Sequence, residues 1–442
     1  MKISLFVEIP VPRPWDDGSE LRAFTSNLDF MEAADRAGFH AVWCTEHHFL
    51  EEYCHAAAPE VFLGAVSQRT KRLRLGHGII HMPPNINHPA RVAERIATLD
   101  LVSNGRAEFG TGESSSVAEL DGFRVDPGKK REMWTEAIQV AARCMTERPF
   151  TGFEGEFVSM PPRDVVPKPV QKPHPPAWVA CTRPSTMDMA AQNGIGALSF
   201  SFVGPDECEA MVSSYYRQFA DAVPLLPGIN PNILFTAGDL MCAPTVELAH
   251  ERIGLGDGFF GYGITYYYVW GMHRPGQVNL WQNYVDSRAA EAAQQAVAAT
   301  GDRADWQRHG EGASRGPVRG GIGSPERIRE WCRRYEAVGV DQLMFLLPPV
   351  EPGMVLESIE LMGRHVLPEF HERDAEQAEA KRRRLEPVLA AIEGRRVNSA
   401  PPLDPAYEFG GVPEAFDRQS KATEVLEAMA KAAEMSAQTV PT

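Results

Sequence analysis

A chain of 442 residues has room for one large α/β barrel with insertions or for two to three smaller domains. Its net charge of −15, with Lys and Arg dispersed, argues against a nucleic-acid partner, and no apolar run reaches the roughly 18 to 20 residues of a membrane span. The seven cysteines are scattered and form no CxxC, which excludes a zinc ribbon and suits a reducing cytoplasm.

Met1–Glu8 carries a short apolar run that Glu8 closes, too short for a signal peptide, so Lys2–Glu8 reads as a first buried strand. Leu28–Arg36, ahead of Ala37-Gly38, has apolar residues at helical spacing and a Gly stop. Ala41–Thr45 is the second strand, apolar throughout as a strand buried on both faces should be. Glu60–Thr70 is the next helix, Leu73–His81 the third strand, Ala90–Leu101 a helix opened by His88-Pro89, and Arg106–Gly110 the fourth strand. Lys130–Glu147 is helical, and the Pro-rich Met160–Pro176 must run as an extended surface excursion, because Pro lacks the N–H and fixes φ. Ala177–Cys181, Ala197–Phe202 and Asn232–Cys242 are the fifth to seventh strands, with a helix at Thr186–Gln192. Residues 255 to 320 show no clear period and read as an insertion. Ser324-Pro325-Glu326 caps a helix that runs to Val338-Gly339, and Asp341–Leu347 is the eighth strand.

Alternating strands and helices, eight times over, predict a parallel (β/α)8 TIM barrel with insertions after strands 4 and 7 and a helical C-terminal extension. The barrel is expected to span 1–370 and the extension 371–442. A doubly wound nucleotide-binding sheet is the rival, but no strand is followed by GxGxxG and no GxxxxGK[ST] occurs. The tail has a charged helix to Gly394, a Pro-rich link at Pro401–Pro413 and an Ala-rich helix near Thr423–Ala437, expected to pack on the barrel or on another subunit. Its cluster Lys381-Arg382-Arg383-Arg384 sits among acids and reads as a solvated helix face.

In a barrel the loops after the strands form the active face. Glu46-His47-His48-Phe49 follows the second strand, His81 ends the third, and Asn87-His88 precedes a helix; seven of the thirteen histidines lie between residues 40 and 88. Imidazoles there suit acid/base work or metal ligation. A metal site would want further carboxylates at strand ends, for which Glu113 and Asp239 are the candidates, and a bound metal is not expected.

Glu46–Phe49, Asn87–Glu94, Ser103–Gly112 and Pro167–Ala180, with Gly323–Glu326, resemble the successive motifs of the bacterial luciferase-like flavin-dependent monooxygenases, in the same order over about 1–370. The resemblance implies a barrel that binds reduced FMN from a separate reductase and reacts it with O2 to give a flavin hydroperoxide, which oxygenates a small apolar or aromatic substrate. His47 matches the family's catalytic histidine, with His48 and Glu46 orienting it. A cytoplasmic homodimer with no nucleic-acid or membrane partner follows as an expectation. A deazaflavin-dependent hydride-transfer enzyme, a non-catalytic flavin-binding subunit and a metal hydrolase are the alternatives.

For the flavin phosphate, Cys181-Thr182-Arg183-Pro184-Ser185-Thr186 offers hydroxyls, an Arg and a helix start, with an ordinary capped turn as the lesser alternative. His88 and Gly110-Thr111-Gly112 are further cofactor candidates, the glycines because they let backbone approach a planar ring. Where luciferases place an Arg, this chain has Glu113 followed by three serines; a carboxylate repels phosphate, so the charge partner must come from elsewhere, with Arg183 or a serine the candidates. Phe49, His81, Tyr262, Tyr266 and Trp270 are candidate substrate-pocket residues. The aromatic insertion that holds the last three is a lid over that pocket or a subunit interface.

Overall fold

The computed structural model describes residues 1–200, 203–270, 273–300, 320–396, 400–408 and 426–431. Eight parallel strands close into a barrel: β1 (Lys2–Val7), β2 (Ala41–Cys44), β3 (Arg74–His77), β4 (Ala107–Gly112), β5 (Ala177–Cys181), β6 (Gly196–Ser199), β7 (Ile233–Asp239) and β8 (Gln342–Leu346). Successive strands pair in register, as at Leu5↔Val42, Ala41↔Arg74, Leu75↔Ala107 and Phe109↔Ala177, and Lys2↔Gln342 closes the ring. The eight expected strands are therefore all present. The third is split, with Ile80–His81 continuing it against Thr111 and Gly112.

The lumen is filled by Phe6, Trp43, Trp178, Leu198, Leu234, Met344 and Leu346. Trp43 and Trp178 meet edge-on with centroids 5.4 Å apart. Two glycines make room for these rings: a Cβ on Gly76 would lie 2.4 Å from Trp43, and one on Gly196 would lie 2.7 Å from Trp178. Truncating a fully buried aromatic of this kind costs about 3–5 kcal/mol.

Outside lie α1 (Ser19–Ala37), α2 (Pro59–Arg69), α3 (Pro89–Val102), α4 (Val117–Gly122), α5 (Lys130–Thr146), α6 (Pro184–Gln192) and α7 (Pro205–Phe219). The glycine stop after α1 is as expected: Gly38 takes φ 94° and donates its N–H to the Ala34 carbonyl. The Pro-rich excursion is pinned to the barrel by Lys168, whose Nζ donates to the Cys144 and Glu147 carbonyls, and by Gln171, which bonds Asp100.

The segment after β7 is more regular than its composition suggested. It contains α8 (Val246–Ile253), α9 (Phe259–Ile264), a π-helical turn (Thr265–Trp270) and α10 (Leu280–Thr300), while residues 301–319 of the expected insertion lie outside the described ones. Aromatic side chains packing on one another replace the polar-apolar alternation that would mark an amphipathic helix. Glu52, fully buried, fastens the start of α10 by accepting N–H bonds from Leu280 and Trp281.

After α11 (Pro325–Ala337), capped by Ser324 as expected, come β8, α12 (Pro352–His365) and α13 (Leu367–Glu393). The basic cluster on α13 is only partly solvated, which corrects the expectation. Arg382 and Arg383 pair with Glu379 at the surface, but Lys381 turns inward to Asp341 at 2.7 Å, because the loop before β8 presents that carboxylate to it. Residues Met1–Ala400 form one compact unit and Pro401–Thr442 a second; in the latter a helix is described at 426–431, and the rest of the expected Thr423–Ala437 helix lies outside the described residues. Among the described residues no helix is long and apolar enough to cross a membrane.

Candidate active site at the carboxyl ends of the strands

Glu46, His47 and His48 leave the end of β2, His81 ends the continuation of β3, and Glu119 arrives on the short helix α4 after β4. His47 Nδ1 lies 2.9 Å from Glu119 Oε1, and the same oxygen accepts the His48 backbone N–H at 3.0 Å. His48 Nε2 lies 3.0 Å from Glu46 Oε1, while Glu46 also accepts from Asn87 Nδ2 at 2.8 Å and from the His81 N–H at 2.9 Å. Each of the two adjacent histidines is thus oriented by its own buried carboxylate. The other edge of His47 faces Glu8, the residue after β1, with Nε2 3.7 Å from Oε1; Tyr53 donates its hydroxyl to that Glu8 oxygen at 2.9 Å. Tyr268, from the π-helical turn, brings its hydroxyl to 3.4 Å from the His47 ring nitrogens.

The electrostatics follow from burial and pairing. Burial opposes a charged ring at His47, but the adjacent Glu119 carboxylate outweighs it and moves its pKa up. Burial would raise Glu119, yet His81 and His47 hold it down at about 2. Glu8 goes the other way: burial pushes it up to about 8, against the pull of His47 and the Tyr53 hydrogen bond. Pairing thus favours the charged form of the His47 ring, Glu119 stays a carboxylate down to low pH, and Glu8 keeps a proton up to about pH 8. Phe6, Tyr53, Phe259, Phe260, Leu346 and Pro349 line a small cleft that Glu8 and Asp239 face.

A second group lies after β4 and β5. Glu113 pairs with Arg131 and stands 4.0 Å from Lys130 Nζ, so its charge is met by two cations. Arg183 acts electrostatically on Lys130 and is the N-cap of α6, where no side chain caps the first turn. Thr182, Arg183 and Ser185 are exposed there. Lys130, Arg131, Arg183 and an uncapped helix N-terminus form a donor set suited to a phosphate dianion. Glu113 does not preclude it, because Arg131 neutralises that carboxylate.

Other sequence candidates have different places. His88 is exposed and caps α3, its Nδ1 accepting the Ala90 N–H at 3.2 Å. Thr111 is buried, bonded to the Trp178 carbonyl and to Trp134 Nε1. The space beside Gly110 is taken by the His77 carbonyl oxygen, 1.8 Å from where a Cβ would stand, and Gly112 faces Ile79. These glycines serve the close approach of β3 and β4. Phe49 packs against His48 and Phe123 at the rim. Tyr262 and Tyr266 both pack against Trp270, which is 53% exposed.

Sequence reasoning missed Glu8, Tyr53, Glu119 and Tyr268 as site residues. For Glu119 a signal existed: Ser116-Val117-Ala118-Glu119 is a capping-box pattern. Ser116 does cap α4, but the Glu119 carboxylate turns to His47 instead of back to the cap.

A closed (β/α)8 barrel with a histidine-carboxylate cluster at its carboxyl end defines a class of barrel proteins with acid/base groups placed for chemistry on a small molecule. The chain belongs to the luciferase-like monooxygenase family, whose profile matches residues 1–342. It is 25% identical over 401 residues to the flavin-dependent trigonelline monooxygenase, oxygenase component, of Acinetobacter baylyi, covering 86% of this chain and 98% of that one. The chain spans about half the length of other curated relatives it matches, 57%, 49% and 51%. Among solved structures it resembles the oxygenating constituent of 3,6-diketocamphane monooxygenase of Pseudomonas putida in complex with FMN (TM-score 0.61, 19% identity, 83% of this chain and 98% of that one). It also resembles an F420-dependent secondary alcohol dehydrogenase (TM-score 0.58, 15% identity, 83% and 98%). At these identities the two structures speak to the fold alone.

Proposed function

We propose that this protein is the oxygenase component of a two-component monooxygenase: a separate reductase supplies reduced FMN, and the barrel uses it with O2 to oxygenate a small apolar or aromatic substrate. The observation that carries this reading is His47, half-buried at the strand ends and set between the Glu119 and Glu8 carboxyl groups. Family membership and the full-length similarity to a named oxygenase component support it.

Reduced flavin, when bound, supplies the electrons that activate O2, a task no side chain performs. Lys130, Arg131, Arg183 and the α6 N-terminus would hold its phosphate. The aromatic walls of the cleft exclude water, and His47 delivers one proton from Nε2 while Glu119 fixes the ring through Nδ1 and balances its charge. Glu8, protonated up to about pH 8 and 3.7 Å away, restores that proton. The reading includes a cytoplasmic homodimer: all seven cysteines are free, and the neighbouring helices α2 and α3 expose Val61, Leu101 and Val102.

The test mixes the protein anaerobically with photoreduced FMN and admits O2 in a stopped-flow. The expected result is a lasting near-ultraviolet absorbance that precedes the bands of oxidised flavin. His47→Ala should lower product yield by about 10² or more, the usual scale for a general acid. Immediate reoxidation combined with tight deazaflavin binding would move the assignment to hydride transfer. NADH oxidation by the purified chain with FMN alone would remove the separate reductase.

A further inference from the structure

We propose that the strand-end cluster is also a binding site for one divalent transition-metal ion of the zinc type, with His81 Nδ1, His47 Nδ1 and Glu119 as its ligands. The starting point is His81. It is 2% exposed, and its Nδ1 is buried without a hydrogen-bond partner. Such atoms are rare in folded proteins and call for an explanation. This one faces Glu119 Oε1 at 4.0 Å, the oxygen that His47 Nδ1 meets at 2.9 Å. One ligand atom from each of the three residues falls within a common 4.8 Å. An ion about 2.0–2.2 Å from each ligand in tetrahedral geometry sets them about 3.4 Å apart, so the two measured separations bracket what binding needs.

The chemistry of the set selects the ion. Two imidazoles and one carboxylate suit Zn²⁺, Co²⁺ or Cu²⁺, whereas Mg²⁺ and Ca²⁺ want oxygen ligands throughout. The supporting contacts are in place as well. Glu119 accepts the His48 N–H at 3.0 Å and the Ser114 hydroxyl at 3.2 Å, and the far nitrogen of His47 faces the Glu8 carboxyl at 3.7 Å. A second trio, Glu46, His48 and His81, shares the same histidine. There Glu46 is already committed to His48, Asn87 and the His81 N–H, so an ion would have to break more bonds than it replaces. His47 and His48 side chains, 11% and 17% exposed, leave a way in.

Binding displaces the proton on His47 Nδ1, so affinity should rise with pH. If the proposed oxygenase reading holds, a bound ion inhibits, because it removes the imidazolium that delivers the proton. The binding itself does not depend on that reading, and the experiment is done without flavin.

Full-length protein, stripped with EDTA and dialysed, is titrated with Co²⁺ while visible d–d absorption is recorded, followed by Zn²⁺ competition and equilibrium dialysis. The expected result is one Co²⁺ per chain, displaced by Zn²⁺. His81→Ala and Glu119→Gln should weaken binding by about 100-fold or more, while His48→Ala and the exposed control His250→Ala leave the spectrum unchanged. Far-UV circular dichroism checks each variant, and His81→Gln replaces His81→Ala should that one unfold. Absence of stoichiometric binding to the wild type overturns the proposal, as does binding that survives loss of His81 or disappears with His48.

Discussion

The cluster of Glu46, His47, His48, His81 and Glu119 is held by directed hydrogen bonds of 2.8 to 3.0 Å, whereas the aromatic stretch Phe259–Trp270 is held by ring contacts such as Tyr262–Trp270 at 5.6 Å and Tyr266–Tyr267 at 5.1 Å. Both regions border the mouth of the barrel, yet only the first places several groups with defined donor and acceptor roles. The second contributes one hydroxyl, that of Tyr268, to His47. Polar groups buried in low dielectric gain from directed pairing, and each pair so formed fixes a pose; aromatic rings gain most of their energy from buried area and tolerate small shifts. Substitutions in the first region should therefore change the reaction far more than those in the second.

After the loss expected for His47→Ala, the largest effect is expected at Glu119. Glu119→Gln keeps the shape of the side chain but removes the charge that holds the His47 pKa up. A reaction that needs the imidazolium is lost as pH rises through that pKa. The alkaline limb of the kcat/KM profile should therefore move to lower pH in the variant, with activity at pH 8 down by about 10-fold or more. An unmoved limb with a uniform loss would mean that Glu119 serves packing alone.

Arg183→Ala comes next. Loss of one charge-assisted contact to phosphate removes about 1.5–3 kcal/mol, so the Kd for reduced FMN should rise by about 10- to 100-fold while turnover at saturating flavin stays near wild type. A Kd unchanged by this substitution and by Lys130→Ala would place the phosphate elsewhere.

Glu8 gives a stability test with a fixed sign. Its folded pKa of about 8 lies above the ordinary value of 4.5, so the folded chain holds a proton that the unfolded chain has lost, and stability falls as pH rises from about 4.5 to 8. Glu8→Gln removes that dependence. Relative to wild type, its Tm should be higher at pH 8.5 than at pH 5, by an amount on the order of a few kcal/mol in unfolding free energy. A constant Tm difference across that range would show that Glu8 is ionised in the folded protein.

The same contrast explains what the sequence reveals. Strands such as Ala41–Cys44 and, past its first residue, Gln342–Leu346 were legible because a parallel strand buried on both faces tends to be a short apolar run, while polar ones such as Arg74–His77 and Ala107–Gly112 were legible from their place in the alternation with helices. His47 and His48 were legible because the chain order alone puts them at a strand end. Their partners were not, because Glu119 lies 72 residues from His47 and Tyr268 lies 221 away, and only barrel closure brings them together. Glu8 looked like the polar end of a strand; nothing local distinguishes a solvated carboxylate from one that burial holds protonated. Gly110 and Gly112 were read as ring-facing for a sound steric reason, but the same absence of Cβ serves the approach of β3 to β4, and sequence does not tell which neighbour needs the room.

The smallest effect is expected inside the aromatic segment, and it separates the one residue there that reaches the site from those that pack beside it. Tyr268→Phe deletes a hydroxyl 3.4 Å from His47 and leaves the ring, so the predicted cost is about 2- to 5-fold in kcat, on the scale of one modest hydrogen bond. Trp270→Phe, at a side chain more than half exposed, removes only part of its contact with Tyr262 and Tyr266 and should leave kcat within about 2-fold. If Trp270→Phe instead costs more than Tyr268→Phe, with KM raised and kcat preserved, the aromatic segment binds substrate through its rings, and the ranking of the two regions holds for proton delivery but not for recognition.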